Sequence, residues 1–220
     1  MVDFASFRKG FGMAADHKRL VSAGAKLADA DIWIDDSGMV TILEIKAKCR
    51  RLNSERGLDM VMVDYLQLAH GDTRTSRKDL EIAEISHGLK ALAKELNLPV
   101  LALSQLNRGP EQRDPDKRRP NMGDLRESGA IEQDADVIAF IYRDEVYTPT
   151  EENHKLAELI IAKQRNGPTG TVKLTFEKKY AVFRDLDTSH PDSEGSGQGF
   201  SGPQDAMSRD GYDDPEEVPF

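Results

Sequence analysis

Two kinds of apolar spacing alternate along this chain, separated by polar stretches rich in glycine and proline. From Asp79 onward Ile82, Ile85, Leu89, Leu92 and Leu96 recur at intervals of 3, 4, 3 and 4. That spacing puts them on one stripe of an amphipathic helix, which Asn97 and Pro99 stop. Thr41-Ile42-Leu43-Glu44 has capping-box spacing and predicts a second helix running to about Leu52. A weakly periodic segment over 16–28 is expected to be helical as well. Compact apolar runs predict strands at 32–34, 58–64, 100–104 and 135–142. A closing set follows at 156–162, 171–176 and 181–183, turned by Gly167-Pro168-Thr169-Gly170. Strands alternating with helices argue for an α/β fold, a mostly parallel sheet with helices on both faces, closed by antiparallel strands. Residues 71–78 and 108–123 read as loops, the second long and mobile.

Charge sharpens this division. The net charge is −9, and residues 185–220 alone hold ten acidic residues and one arginine. The preceding part is therefore neutral, with 29 residues of each sign, and has no electrostatic bar to a polyanion. The Ser-, Gly-, Asp- and Pro-rich composition beyond residue 186 cannot bury enough apolar area to order itself, so 1–186 is read as the folded unit and 187–220 as a disordered acidic tail. The single cysteine, Cys49, allows no intrachain disulfide, which suits a reducing cytoplasm. The charged start has no secretory apolar core, and no apolar run reaches the roughly 20 residues needed to span a bilayer. A cytoplasmic protein without a membrane segment is expected.

Several groups carry candidate chemistry. Asp64 ends an apolar strand, the edge at which open α/β sheets place ligands. It can hold magnesium, which takes few carboxylates and completes its shell with water and phosphate oxygens, or it can simply cap the strand end. Asp35 and Asp36 end a similar run, but Ser37-Gly38 turns the chain at once, so these two are read as structural. Gln105 ends the next strand, where a neutral amide can orient water or register a phosphate, or else bond the loop backbone. The stretch 108–126 contains six basic and four acidic residues; it is either solvated or a backbone-tracking contact to single-stranded nucleic acid. Gly129 would allow a phosphate to approach the main chain. Lys163 and Arg165 alternate around Gln164 at a strand end, so both cations point to one side, as an exposed charged end or as an arginine finger. No phosphate loop of the form G-x-x-x-x-G-K-[ST] occurs anywhere in the 220 residues.

The order of these words resembles the C-terminal motor domain of the bacterial replicative DNA helicase, the DnaB family, from about Asp31 to Phe183. The words that carry it are VDYLQL at 63–68, LEIAEIS at 80–86, AKEL at 93–96, LSQLNR at 103–108, DLRESGAIEQDAD at 124–136, YRDEVY at 142–147 and KQRNGP at 163–168. The resemblance implies a RecA-like ATPase using ATP and Mg²⁺, working as a homo-hexameric ring around single-stranded DNA, with primase and a helicase loader as further partners. It assigns Asp64 to the Walker B carboxylate and metal site, and Gln105 to the coupling between γ-phosphate and DNA loops. It assigns Arg126, Glu127 and Gly129 to DNA contact, and Lys163 and Arg165 to the finger that enters a neighbour's site. It also implies that the chain begins after the family's phosphate loop and catalytic glutamate. The sheet is then incomplete at the N-terminus, and the chain is inactive unless a complementing N-terminal half supplies those parts. The competing reading is a non-catalytic module that binds DNA or docks on an intact ring. A stand-alone recombinase of the same fold is disfavoured by DLRESG and KQRNGP.

Overall fold

Thr41 starts its helix as the spacing predicts. Its hydroxyl accepts from the Glu44 amide at 3.2 Å, and the Glu44 carboxylate accepts from the Thr41 amide at 2.8 Å. The two orphan donors at the helix start are thus satisfied reciprocally. The computed structural model describes residues 2–3, 7–8, 14–71, 78–107, 109–110, 113–114, 117–125 and 129–186. Within them the order is α1 (Ala14–Ala28), β1 (Val40–Thr41), α2 (Ile42–Arg56), β2 (Val61–Val63), β3 (Ala69–His70), α3 (Lys78–Leu96) and β4 (Val100–Ala102). There follow α4 (Gly129–Asp134), β5 (Val137–Tyr142), β6 (Leu156–Gln164), β7 (Gly170–Glu177) and β8 (Val182–Asp185).

The apolar stripe of α3 is buried as its spacing demands: Ile82, Ile85, Leu89 and Leu92 are all core residues. Each such side chain contributes about 1.5–3 kcal/mol relative to exposure. Asn97 ends the helix in the left-handed region at φ 52°, and the Leu98 amide bonds back to Ala93 O at 3.2 Å. This is the Schellman closure that satisfies a terminal carbonyl. One core joins Ile42, Leu66, Ala69, Ile85 and Leu89, with Val63, Val100 and Ala102 packed against it. A second joins Leu125, Ile138 and Phe140.

Parallel pairing is present, but it is short. β1 pairs with β3 and β2 with β4, each in parallel, whereas β5-β6-β7-β8 form a four-stranded antiparallel sheet. The closing strands are therefore antiparallel, as expected, and they outweigh the parallel pairs among the described residues. The α2–α3 layer covers Val63, Val100 and Ala102, while the alternate residues Met62 and Leu101 are 61% and 44% exposed. Helical cover thus lies on one side of that strand pair among the described residues.

The strand expected at 32–34 does not form. Ile32, Trp33 and Ile34 are exposed and carry no regular structure. No described strand offers them a ladder, and Asp35 turns the chain directly after them, accepting from the Ser37 amide at 3.2 Å and its hydroxyl at 2.6 Å. The structural reading of Asp35 agrees with this Asx turn. The loop expected at 71–78 and the acidic tail from 187 lie almost wholly outside the described residues.

Candidate functional site

β2 and β4 run side by side in register, Val61 with Val100 and Val63 with Ala102. The pairing continues past both strands through Leu103 N to Val63 O and Leu66 N to Leu103 O, each at 2.9 Å. Parallel neighbours end at the same edge, so Asp64, directly after β2, and Gln105, just beyond β4, emerge together. Asp64 is exposed, and its carboxylate makes no hydrogen bond or ion pair with a described residue; the peptide bond that follows it to Tyr65 is cis. The Gln105 side chain is likewise exposed and without a partner among the described residues. The role of bonding the loop backbone falls instead to Gln67. Its Nε2 donates to Ser104 Oγ at 3.1 Å and to Gln105 O at 3.2 Å, and its Oε1 accepts from the Gln105 amide at 3.3 Å. Nothing in spacing or composition pointed to Gln67; the signal was its place in the VDYLQL word.

Among the described residues no group of three or more His, Cys, Asp or Glu side chains is arranged to hold a metal. A lone free carboxylate fits magnesium that arrives with phosphate oxygens, which needs few protein ligands. It does not fit a cation held by protein alone.

Beside Gln105 opens a cavity of about 480 Å³, lined by Asn107, Arg118, Tyr142, Arg143 and Tyr147 among others. The Tyr142 and Tyr147 rings stack with centroids 6.0 Å apart. The Arg118 guanidinium lies 5.5 Å above Tyr147, and that of Arg119 5.6 Å above Tyr142. Burial, then the hydrogen bond to Asp144, pushes the Tyr142 hydroxyl pKa well up. The same bond holds the Asp144 carboxyl below its ordinary range.

Within the stretch 108–126, three described arginines have partners inside the chain. Arg113 makes a bidentate pair with Asp124, which is 1% exposed and also accepts from the Asn121 amide at 2.9 Å. Arg119 pairs with the nearly buried Glu158 through two 2.8 Å bonds, which raise the pKa of its guanidinium. Arg118 donates to Arg113 O and Thr148 Oγ1, each at 3.2 Å. Two of these three, Arg113 and Arg119, neutralise buried carboxylates, which are costly without a partner. Arg126 and Glu127 lie outside the described residues. Gly129 opens α4, and a Cβ there would meet nothing within 4 Å.

Lys163 and Arg165 do share a side, as their alternation predicts. Lys163 Nζ donates to Glu132 O at 2.5 Å and Ala135 O at 2.7 Å. Arg165 Nη2 donates to Gln133 O at 2.5 Å, and its Nε lies 3.5 Å from Asp136 Oδ1. Both cations therefore sit at the carbonyl end of α4.

The family model for the DnaB-like helicase C terminal domain matches residues 1–185. The chain belongs to that family. It is 49% identical over 187 residues to the replicative DNA helicase DnaB of Geobacillus stearothermophilus, covering 84% of this chain and 41% of that protein. It is 48% identical over 193 residues to the replicative DNA helicase DnaC of Bacillus subtilis (strain 168), covering 87% and 42%. This DnaB-like domain thus spans about two-fifths of the length of the curated relatives it matches. A solved ATPase domain superposes with a TM-score of 0.77 at 39% identity, over 84% of this chain and 66% of that one. A DnaB-like replicative helicase, described with its interactions with primase, gives 0.74 at 41% identity, over 82% and 44%. The RecA-like α/β fold is shared with both. Among the described residues no helix is long and apolar enough to cross a membrane.

Proposed function

We propose that this chain is the C-terminal motor part of an ATP-dependent replicative DNA helicase, acting as a hexameric ring on single-stranded DNA in the cytoplasm. The observation that carries this reading is the common edge of β2 and β4. There a carboxylate, Asp64, and an amide, Gln105, neither with a partner among the described residues, leave one edge with Gln67 tying the Gln105 backbone, in a chain of the DnaB-like family. Asp64 would hold magnesium borne by ATP, whose hydrolysis supplies the driving force. Gln105 would register the terminal phosphate. Lys163 and Arg165 would present positive charge to a neighbour's nucleotide, and Arg126, Glu127 and Gly129 would meet the DNA backbone. The 220 residues contain no phosphate loop, so nucleotide binding needs that loop from other residues, in the same polypeptide or from a complementing half. Primase and a helicase loader are the further partners this reading expects.

Purified alone, the chain is expected to bind ATP poorly and not to hydrolyse it.

Mixed rings test the leading reading. In rings completed with a half that carries the phosphate loop, Arg165→Ala is expected to remove turnover while sparing nucleotide binding, a loss of roughly 10³–10⁵ in rate. A finger acts on charge that develops in the transition state. Mixing Arg165→Ala with Asp64→Asn subunits restores some turnover if the two residues serve one site from different chains. Rings that assemble but recover nothing would sink that assignment. Arg126→Ala is expected to weaken DNA binding and flatten its salt dependence while sparing basal turnover.

A further inference from the structure

The short helix α4 is clamped at its carbonyl end from two directions. From α3, Ser86 Oγ and His87 Nδ1 reach Asp134 at 2.7 and 2.6 Å, and Lys90 Nζ reaches Asp136 at 2.5 Å. From the end of β6, Lys163 and Arg165 take the carbonyls of Glu132, Gln133 and Ala135, and Arg165 also faces Asp136. The Arg165 amide closes the arrangement on Asp136 O at 2.9 Å. Two cations on the last carbonyls of one helix match the negative end of its dipole. They also give up rotamer freedom that long side chains otherwise keep. The arrangement does not exhaust their donors. Lys163 has three protons and uses two, and the Arg165 Nη1 group is not engaged by any described residue. Asp136 is shared with Lys90, so its charge does not cancel that of Arg165.

We infer that Asp136 and the carbonyl end of α4 form a cradle that positions Lys163 and Arg165 toward an external phosphate anion. The inference rests on the finger reading above and adds to it a positioning residue, Asp136. An element of about 9 Å, at 1.5 Å per residue, draws its stability from packing and end contacts rather than from its own hydrogen bonds, here Ile131 on the core and the partners of Asp134, Lys163 and Arg165.

The cradle is tested first in the full chain, by amide hydrogen exchange at residues 133–135, where Ala135 N bonds Ile131 O at 3.0 Å. Lys163→Met is expected to speed exchange there by roughly fivefold, with the β5 and β6 amides unchanged. No change at 133–135 overturns the cradle. Should the sheet amides also quicken, Asp136→Asn decides: faster exchange confined to 133–135 supports the cradle, and none overturns it. In turnover-competent rings Asp136→Asn is expected to lower kcat at unchanged KM for ATP, with Asp136→Glu recovering part of it. If Asp136→Asn is harmless while Arg165→Ala abolishes turnover, this inference falls and the finger reading stands. If Arg165→Ala is itself harmless, both fall.

Discussion

Gln67 and Gln105 are joined from both ends of one amide: Gln67 Nε2 donates to Gln105 O at 3.2 Å, and its Oε1 accepts from Gln105 N at 3.3 Å. The Gln67 side chain thus does for the end of β4 what another strand would do, pairing a main-chain donor and acceptor that otherwise face solvent. It fixes the backbone of Gln105, whose own side chain has no partner among the described residues.

Replacing Gln67 with Leu removes these bonds and the one to Ser104 Oγ. The expected loss is about 1–3 kcal/mol of unfolding free energy, at roughly 0.5–1.5 kcal/mol net for each hydrogen bond. In turnover-competent rings kcat should fall as well, because Gln105 loses its register. A urea titration matching the parent, together with unchanged kcat, would show that Gln67 positions nothing.

Asp124 organises the segment before α4. Its carboxylate is 1% exposed and is held by Arg113 and the Asn121 amide. Asp124→Ala leaves a guanidinium without its buried partner and is expected to cost about 3–5 kcal/mol. The double variant with Arg113→Ala should cost clearly less than the sum of the two single changes, since the pair acts as a unit. Additive costs in chemical denaturation would show that the pair does not hold the segment.

Gly88 on α3 is required by the packing of α2. A Cβ at that position would collide with Ile42 Cγ1 and lie 2.9 Å from its Cδ1, and Ile42 is itself buried at 2% exposure. Gly88→Ala is expected to destabilise by about 1–3 kcal/mol through overpacking, despite the better helix propensity of alanine. Ile42→Ala in the same chain should offset part of that cost. A stabilising Gly88→Ala would mean that the two helices separate freely.

The sequence made the helices legible because their determinants are local. The spacing of Ile82, Ile85, Leu89 and Leu92 and the Thr41–Glu44 box each act over a few turns at most, and both are seen in the structure. The run Ile32-Trp33-Ile34 misled because a strand needs a partner, and pairing is not written in three residues. The common edge of Asp64 and Gln105 followed from strand order alone. The fate of the basic stretch did not. Whether Arg113 and Arg119 face solvent or a buried carboxylate depends on Asp124, 11 residues on, and Glu158, 39 residues on. Charge counts carry no information about such distant partners. The cradle of Lys163 and Arg165 was half visible: alternation put both on one side, but not against the carbonyls of α4.

A pH titration probes the turn at Asp35. Lys48 Nζ donates to its carboxylate at 2.6 Å, and the Ser37 hydroxyl and amide donate to the other oxygen. The Lys48 bond is the largest influence, followed by Ser37, and together they bring the Asp35 pKa from 3.8 down to about 2. The folded value lies below the unfolded one. The stabilisation is therefore complete above about pH 4, where the carboxylate is charged in both states, and it is lost as pH falls through about 2. Lys48→Met should move the pKa part of the way back toward 3.8, with Ser37 retaining the remainder, as followed by the carboxyl carbon shift in NMR. The pair is solvent-exposed, so added salt should shrink the difference between parent and variant. A pKa unchanged by Lys48→Met would mean that the Ser37 turn alone sets the charge on Asp35, with Lys48 a bystander.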